Sequence, residues 1–115
     1  MKVARSVLDV IGSTPMVRLN RITAGLDRDV LVKLEFLNPS GSLKDRIARH
    51  IVEEAERSGR LTKGSVIAEA TTGNTGIAFA MVAAVKGYRM IVVMPEGMSE
   101  ERKRTIRAYG AELVF

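Results

Sequence analysis

Apolar segments alternate with helical segments between residues 65 and 115, and this alternation is the feature that most constrains the fold. The candidate strands of the whole chain are residues 16–19, 30–35, 65–70, 90–94 and 111–115. The candidate helices are residues 44–58, 74–86 and 99–109. Because the last three strands alternate with helices, the pattern predicts the α/β class, with a parallel twisted sheet and helices on both faces.

The first candidate helix, residues 44–58, has a clear apolar face and recognisable ends. Apolar residues recur along it at intervals of three and four positions. These residues are Ile47, Ala48, Ile51, Val52 and Ala55. Ser40 or Ser42 can cap the start of this helix, and Gly59 can end it in a left-handed conformation. The second candidate helix has a similar stop signal in Gly87.

Lys44 falls in the first turn of this helix, which is an unusual place for a lysine. The exposed N–H groups and the dipole of a helix favour anions at this end and disfavour an ammonium ion. That field favours the neutral amine, which is the form that attacks a carbonyl carbon. The alternative is a solvated lysine that pairs with Asp45 or with a nearby glutamate. The residues of the neighbouring loops are needed to distinguish between the two interpretations.

A second loop, residues 71–76, reads Thr-Thr-Gly-Asn-Thr-Gly and leads from a candidate strand into a candidate helix. It carries three hydroxyls and one amide, and its two glycines allow the backbone to turn tightly and to approach a ligand. Free N–H groups at the start of the helix would add an anion site. The alternative is an ordinary turn in which one threonine or asparagine caps the helix. An amine beside a carboxylate-binding loop suggests Schiff-base chemistry on an amino acid.

Several other kinds of site lack the residues that they need. No Gly-x-x-x-x-Gly-Lys-Ser/Thr sequence occurs, and no Gly-x-Gly-x-x-Gly sequence follows a strand, so the P-loop and dinucleotide fingerprints are absent. The chain has no cysteine and a single histidine, His50, which argues against a metal centre and against Ser-His or Cys-His catalysis. We therefore predict no metal site.

The net charge of +5 and the pI near 10.0 raise the question of nucleic-acid binding. Most arginines are scattered over several elements, and the one basic cluster, residues 102–107, follows Glu100 and Glu101 along one helix. Acidic residues first and basic residues later suit the helix dipole. Aromatic residues make up 4% of the chain, which leaves little surface for stacking on bases. We expect no nucleic-acid partner, and an anionic substrate or cofactor instead.

The composition bears on the cellular compartment as well. Hydrophobic residues make up 46% of the chain and charged residues 27%, with no apolar run long enough to span a bilayer. No signal peptide is apparent, and the lack of cysteine excludes a disulfide framework. These features predict a cytoplasmic protein without a membrane partner.

Four segments together resemble the N-terminal part of the cysteine synthase (O-acetylserine sulfhydrylase) and cystathionine β-synthase family, pyridoxal-phosphate enzymes with the tryptophan-synthase-β fold. Residues 11–19 resemble the family's opening segment, and residues 34–46 resemble the segment that holds its Schiff-base lysine. Residues 71–76 resemble the loop that binds the substrate carboxylate, and residues 94–114 resemble a mobile subdomain. The four segments in this order are far more specific than any one of them.

The resemblance implies a role for each residue of the two loops. Lys44 would form the Schiff base with pyridoxal 5'-phosphate and would then move a proton at the substrate α-carbon. Asn74 would bind the ring hydroxyl of the cofactor. The groups that bind the amino acid carboxylate would be Thr71, Thr72, Gly73, Asn74 and Thr75. Thr72 stands where serine is usual in the family, which adds a methyl group to the pocket.

The implied reaction is a β-replacement in which cysteine forms from sulfide and O-acetylserine or a related activated serine. Thr75 favours this subclass, because the related threonine and serine dehydratases usually carry a histidine at that position. One alternative is cystathionine β-synthase, or another β-replacement or β-elimination enzyme of the same fold. Another is a non-catalytic truncated domain.

Members of this family are longer than 115 residues, and the resemblance therefore identifies the chain as a piece of such an enzyme. Residues 1–36 are expected to pack with a second domain. Residues 37–115 are expected to form the βα core with the carboxylate loop and the mobile subdomain. The family further implies a homodimer for the full-length enzyme, and the 115-residue chain by itself is expected to be inactive.

Overall fold

The computed structural model describes residues 3–115, which form two sheets and three α-helices. The strands are β1 (Met16–Arg18), β2 (Leu31–Lys33), β3 (Val66–Ala70), β4 (Arg89–Val93) and β5 (Glu112–Val114). The helices are α1 (Lys44–Arg57), α2 (Asn74–Lys86) and α3 (Glu100–Ala108). All five strands and three helices expected from the sequence are confirmed, with bounds that agree to within two residues. Two short 3-10 helices, Val7–Val10 and Glu35–Leu37, were not predicted.

Strands β3, β4 and β5 form a parallel sheet in that order, so the predicted parallel α/β arrangement is confirmed. In the register of this sheet, Ala68 lies opposite Ile91, which lies opposite Glu112. Helix α2 connects β3 to β4, and α3 connects β4 to β5. Connections of this kind are right-handed, and because both run in the same direction across the sheet they place α2 and α3 over the same face.

That face holds the core. Met90 and Val92 point towards the helices and are buried, whereas Val66, Val93 and Val114 on the opposite face are 46%, 41% and 41% exposed. Helix α2 lies directly on the sheet and packs between α1 and α3, so that residues 76–83 are all buried. Among the described residues, the helices that contact this sheet therefore lie on one of its two faces.

The glycines that follow α1 and α2 end these helices as the sequence predicted. Gly59 has φ +72° and Gly87 has φ +77°, in the left-handed region that glycine occupies without strain. The N–H group of Gly87 donates to the carbonyl of Ala83, which satisfies one of the last carbonyl groups of α2.

Strands β1 and β2 form a separate antiparallel hairpin, with Val17 opposite Val32. Both of these valines are exposed, and so are the other residues of the two strands. The hairpin thus has no covered face among the described residues. The expectation that residues 1–36 pack with a second domain stays a prediction, and Met1 and Lys2 lie outside the described residues. Within residues 3–115, no helix is both long and apolar enough to cross a membrane.

Candidate functional site

Lys44 is the first residue of α1 and is half-buried. Its backbone N–H donates a hydrogen bond to the Ser42 hydroxyl at 3.2 Å, so Ser42 satisfies one of the free donors at the helix start. Among residues 3–115, the Lys44 ammonium group has no acceptor and no acidic partner. The side chain that the sequence identified is thus held at the helix start by its backbone, with its amine available.

Asp45, one of the two kinds of partner that the sequence left open for Lys44, does not pair with it. Its fully buried carboxylate turns back to Ser40 and accepts hydrogen bonds from the Ser40 N–H at 2.8 Å and from the Ser40 hydroxyl. Side chains in the first turn of a helix point towards its N-terminus, which brings Asp45 to the loop and away from the outer face of the helix. The Ser40–Asp45 pair therefore fixes the loop that precedes Lys44.

Arg46, two residues after Lys44, joins α1 to the N-terminal segment. Its guanidinium donates to both carboxylate oxygens of Glu35, with Nε–Oε2 and Nη2–Oε1 distances of 2.9 and 3.0 Å. Glu35 also accepts from the Thr14 hydroxyl at 2.7 Å and from the buried Asn38 amide at 3.0 Å. The hydrogen bonds from Arg46 and then Thr14 lower the pKa of Glu35 from 4.5 to about 2. This contact joins Glu35, the first residue of a 3-10 helix, to α1.

The low pKa of Glu35 predicts a stability that depends on pH. A carboxyl group whose pKa falls on folding stabilises the protein above its ordinary pKa, and this contribution is lost as the pH falls through the folded value. Glu35→Gln should therefore lower the urea midpoint of the chain at pH 7. The gap between the variant and the unmodified chain should shrink as the pH falls from 4.5 towards 2. Urea unfolding over this pH range measures the difference in midpoint. A difference that is constant with pH would contradict the assignment of a low pKa to Glu35.

The second loop leads from β3 into α2 without a side-chain cap. Gly73 is the cap residue of α2, and no described side chain accepts from the free N–H groups of its first turn. The Thr71 hydroxyl accepts from the Gly73 N–H at 3.2 Å, while Thr72 and Asn74 are exposed. An ordinary turn capped by threonine or asparagine, the alternative from the sequence, is therefore not what forms here. The N–H groups at the start of α2 stay available to an anion.

Gly76 allows the start of α2 to lie close to the sheet. A methyl group added at this position would come within 2.6 Å of Thr71 Cγ2 and 3.0 Å of Val92 Cγ1, both closer than side chains normally pack. The second glycine of the loop is therefore needed for close packing of the helix on β4. It holds the first turn of α2 against the end of the sheet, where ligands bind in folds of this class.

We call residues 39–43, which precede Lys44, the lysine loop. A cavity of about 530 Å³ lies where this loop, α2 and α3 meet. The lysine loop contributes Ser40 and Gly41, and α2 contributes Asn74 and Ile77. The residues from the start of α3 and the turn before it are Ser99, Glu101, Arg102 and Thr105. Of the site residues expected from the sequence, Asn74 lines this cavity directly. The other expected residues lie on the same two loops or in the first turns of the helices that follow them, but do not line the cavity: Lys44, Thr71, Thr72, Gly73 and Thr75.

The basic cluster of α3 divides into residues with different environments. Lys103 is buried, with its Nζ 2.7 Å from Glu100 Oε1 and 5.3 Å from the centre of the Phe115 ring. Arg102 instead lies against Gly73, since a Cβ built on that glycine would be 2.9 Å from Arg102 Nε. The sequence indicated only that the charges of α3 suit the helix dipole, and Arg102 was missed because no local pattern distinguishes it from Arg104 or Arg107.

Comparison with known proteins identifies the family to which the chain is similar. The pyridoxal-phosphate dependent enzyme family matches residues 7–115. The probable cysteine synthase of Bacillus subtilis (strain 168) is 53% identical over 115 residues, which are 100% of this chain and 37% of that protein. The cystathionine beta-synthase of Rattus norvegicus is 55% identical over 115 residues, which are 98% of this chain and 20% of that protein. The crystal structure of O-ureido-L-serine synthase matches with a TM-score of 0.93 at 51% identity, over 98% of this chain and 35% of that one.

These matches confirm the resemblance inferred from the sequence. They run through the lysine loop and through residues 71–76, and the chain spans 37% or less of the length of each of these three relatives. The family is defined by its cofactor, pyridoxal phosphate, which fits an amine at the start of one helix and an uncapped helix start beside it. The chain belongs to the pyridoxal-phosphate dependent enzyme family.

Proposed function

We propose that this chain carries the lysine and the carboxylate-binding loop of an enzyme that makes cysteine from sulfide and O-acetylserine or a related activated serine. The observation that carries the proposal is the setting of Lys44. Lys44 is half-buried at a helix start, its amine has no acidic partner among residues 3–115, and the two residues that follow it, Asp45 and Arg46, are fixed by hydrogen bonds. A lysine held for stability alone would gain from a carboxylate partner, and Asp45 is close enough in sequence to provide one.

The residues of the two loops fit pyridoxal phosphate. The Lys44 amine suits the aldehyde of the cofactor, and the exposed Asn74 amide, which lines the cavity beside the lysine loop, suits its ring hydroxyl. When bound, the cofactor supplies the electron sink that makes the α-proton of an amino acid acidic. Lys44 Nζ is then the group that takes this proton and returns it. The fixed loop before Lys44 holds the amine in one position during both transfers.

The carboxylate of the amino acid would bind at the start of α2. The hydroxyls of Thr71, Thr72 and Thr75 and the backbone of Gly73 and Asn74 are the donors that we assign to it. The free N–H groups and the dipole of α2 favour an anion at this point. Binding the carboxylate here orients the α-carbon relative to a lysine on the neighbouring loop, and such orientation accounts for a large part of catalysis in enzymes of this kind.

A chimera tests the proposal at the level of a whole enzyme. In this chimera the 115 residues of the chain replace the matching segment of the Bacillus subtilis probable cysteine synthase, to which they are 53% identical. We expect the chimera to form cysteine from O-acetylserine and sulfide when pyridoxal phosphate is present. A well-folded chimera that binds the cofactor but makes no cysteine would contradict the proposal.

Substitutions in the loop should affect mainly substrate binding. Thr72→Ala and Thr75→Ala in the chimera each remove one hydrogen-bond donor to a charged group, which is worth about 1.5–3 kcal/mol. We expect KM for O-acetylserine to rise about tenfold to a hundredfold with little change in kcat. Asn74→Ala should instead change the absorbance spectrum of the bound cofactor. Parental kinetics and spectra in all three variants would show that the loop serves only to start the helix.

The relatives leave the nucleophile open. They are named for cysteine, cystathionine and O-ureido-L-serine, and all three products are alanines that carry a different heteroatom group at the β-carbon. We therefore assign the amino acid half of the reaction to this chain, and keep cystathionine formation as the second candidate. The chimera and its parent should be compared with sulfide, homocysteine and hydroxyurea as nucleophiles. Any change in preference between the two proteins is due to the 115 residues.

A homodimeric full-length enzyme and a cytoplasmic location stay predictions of the sequence. So does the lack of activity of the 115-residue chain alone. The non-catalytic alternative predicts that the chimera retains its cofactor spectrum but loses turnover, and the same assay therefore distinguishes it from the proposed function.

A further inference from the structure

Among residues 3–115, one cationic residue lines the cavity beside the carboxylate loop, Arg102. Its guanidinium lies against the backbone of Gly73, because a Cβ added to that glycine would be 2.9, 3.1 and 3.2 Å from Arg102 Nε, Cδ and Cζ. Within residues 3–115 this guanidinium has no carboxylate or carbonyl partner, although Glu101 is its neighbour in sequence. A positive charge is thus held at the loop without being neutralised by the protein.

The other donors of the loop are neutral. Threonine hydroxyls, an asparagine amide and backbone N–H groups can hydrogen-bond a carboxylate, but none of them carries a full charge. Glu101 also lines the cavity, so that without Arg102 the lining would be net negative and would repel an anionic substrate. Arg102 offsets this charge at the place where the proposed carboxylate site begins.

We infer that Arg102 is a positioning residue that gives the loop its preference for a carboxylate over a neutral group. It acts by holding its charge against Gly73, so that an amino acid with a free carboxylate binds better than the matching amide. This inference rests on the proposed function, since it assigns a determinant of substrate class to the same loop. It also gives Gly73 a specific purpose, because any larger residue would push the guanidinium away from the backbone.

Binding of an unreactive amino acid tests this charge directly. L-Alanine has no leaving group at its β-carbon, and L-alaninamide differs from it by having no carboxylate charge. In the holo form of the chimera, Arg102→Met should raise the Kd for L-alanine about tenfold, the scale of a hydrogen bond to a charged group, and change that for L-alaninamide by less than about twofold. Arg102→Lys keeps the charge and should restore most of the affinity. Isothermal titration calorimetry measures all of these constants without turnover.

Arg104→Met is the matched control. Arg104 lies on the same helix, is exposed and does not line the cavity, so the same change of charge should leave both dissociation constants unaltered. The inference is overturned if Arg102→Met behaves like Arg104→Met. It is equally overturned if Arg102→Met raises the Kd for alanine and the Kd for alaninamide by the same factor, which would indicate a steric or structural role. Turnover of the unmodified chimera with O-acetylserine reports on the proposed function independently of this ratio.

Discussion

Lys44→Ala should abolish cysteine formation by the chimera, with turnover reduced by more than about a thousandfold. A positioned general base contributes about 10²–10⁴ in rate, and this substitution also removes the amine that we assign to the cofactor aldehyde. The fold should be unaffected, because the Lys44 side chain has no hydrogen-bond partner among the described residues. Steady-state assays measure the loss, and the thermal midpoint of the apo form reports on the fold.

The matched control is Lys63→Ala. Lys63 is an exposed lysine in the turn before β3, at the opposite end of that strand from residues 71–76, so its removal should leave turnover unchanged. Added methylamine or ethylamine should restore part of the turnover of Lys44→Ala, because a free amine can replace the missing base. Turnover of Lys44→Ala close to that of the unmodified chimera would refute the assignment of this lysine.

The secondary structure could be predicted because its signals are local. The apolar face of α1 repeats at helical spacing, and Gly59 and Gly87 end their helices through a left-handed φ that depends on the glycine itself. The parallel sheet follows from the alternation of strands and helices. The 3-10 helix at Glu35 was missed, and the ion pair of Glu35 could not be foreseen either, because Arg46 lies eleven residues later in the sequence.

The candidate site could be predicted only as far as its residues lie on the two loops. Lys44 and Asn74 were identified because each stands at a helix start, which is a local property. Arg102 could not be identified, since its place beside the loop depends on α3 folding back over Gly73, twenty-nine residues earlier in the sequence. A Lys44–Asp45 pair stayed open as an alternative for a related reason. Adjacent opposite charges suggest a pair, whereas the direction of side chains in the first helical turn selects Ser40.

Asp45→Ala should produce the largest loss of stability that we expect from a polar substitution, about 3 kcal/mol in the free energy of unfolding. The Asp45 carboxylate is fully buried and accepts two hydrogen bonds from Ser40, and bonds to a charged group are worth about 1.5–3 kcal/mol each. Alanine would also leave the Ser40 N–H without an acceptor. Urea unfolding of the chimera measures the loss, and Asp45→Asn should lose less because its amide oxygen still accepts one bond.

The same substitution should lower turnover more than stability alone explains, because the Ser40–Asp45 pair fixes the loop that holds Lys44. At temperatures where Asp45→Ala is still fully folded, we expect kcat to fall while KM for O-acetylserine stays near the parental value, since the carboxylate site lies on the other loop. Asp29→Ala is the control, because its salt bridge with Arg18 at 3.1 Å lies between side chains that are each 60% exposed and contributes little. If Asp45→Ala lost stability but kept the parental kcat in the folded enzyme, Lys44 would not depend on this pair for its position, and the bond from its N–H to Ser42 would be what holds it at the start of α1.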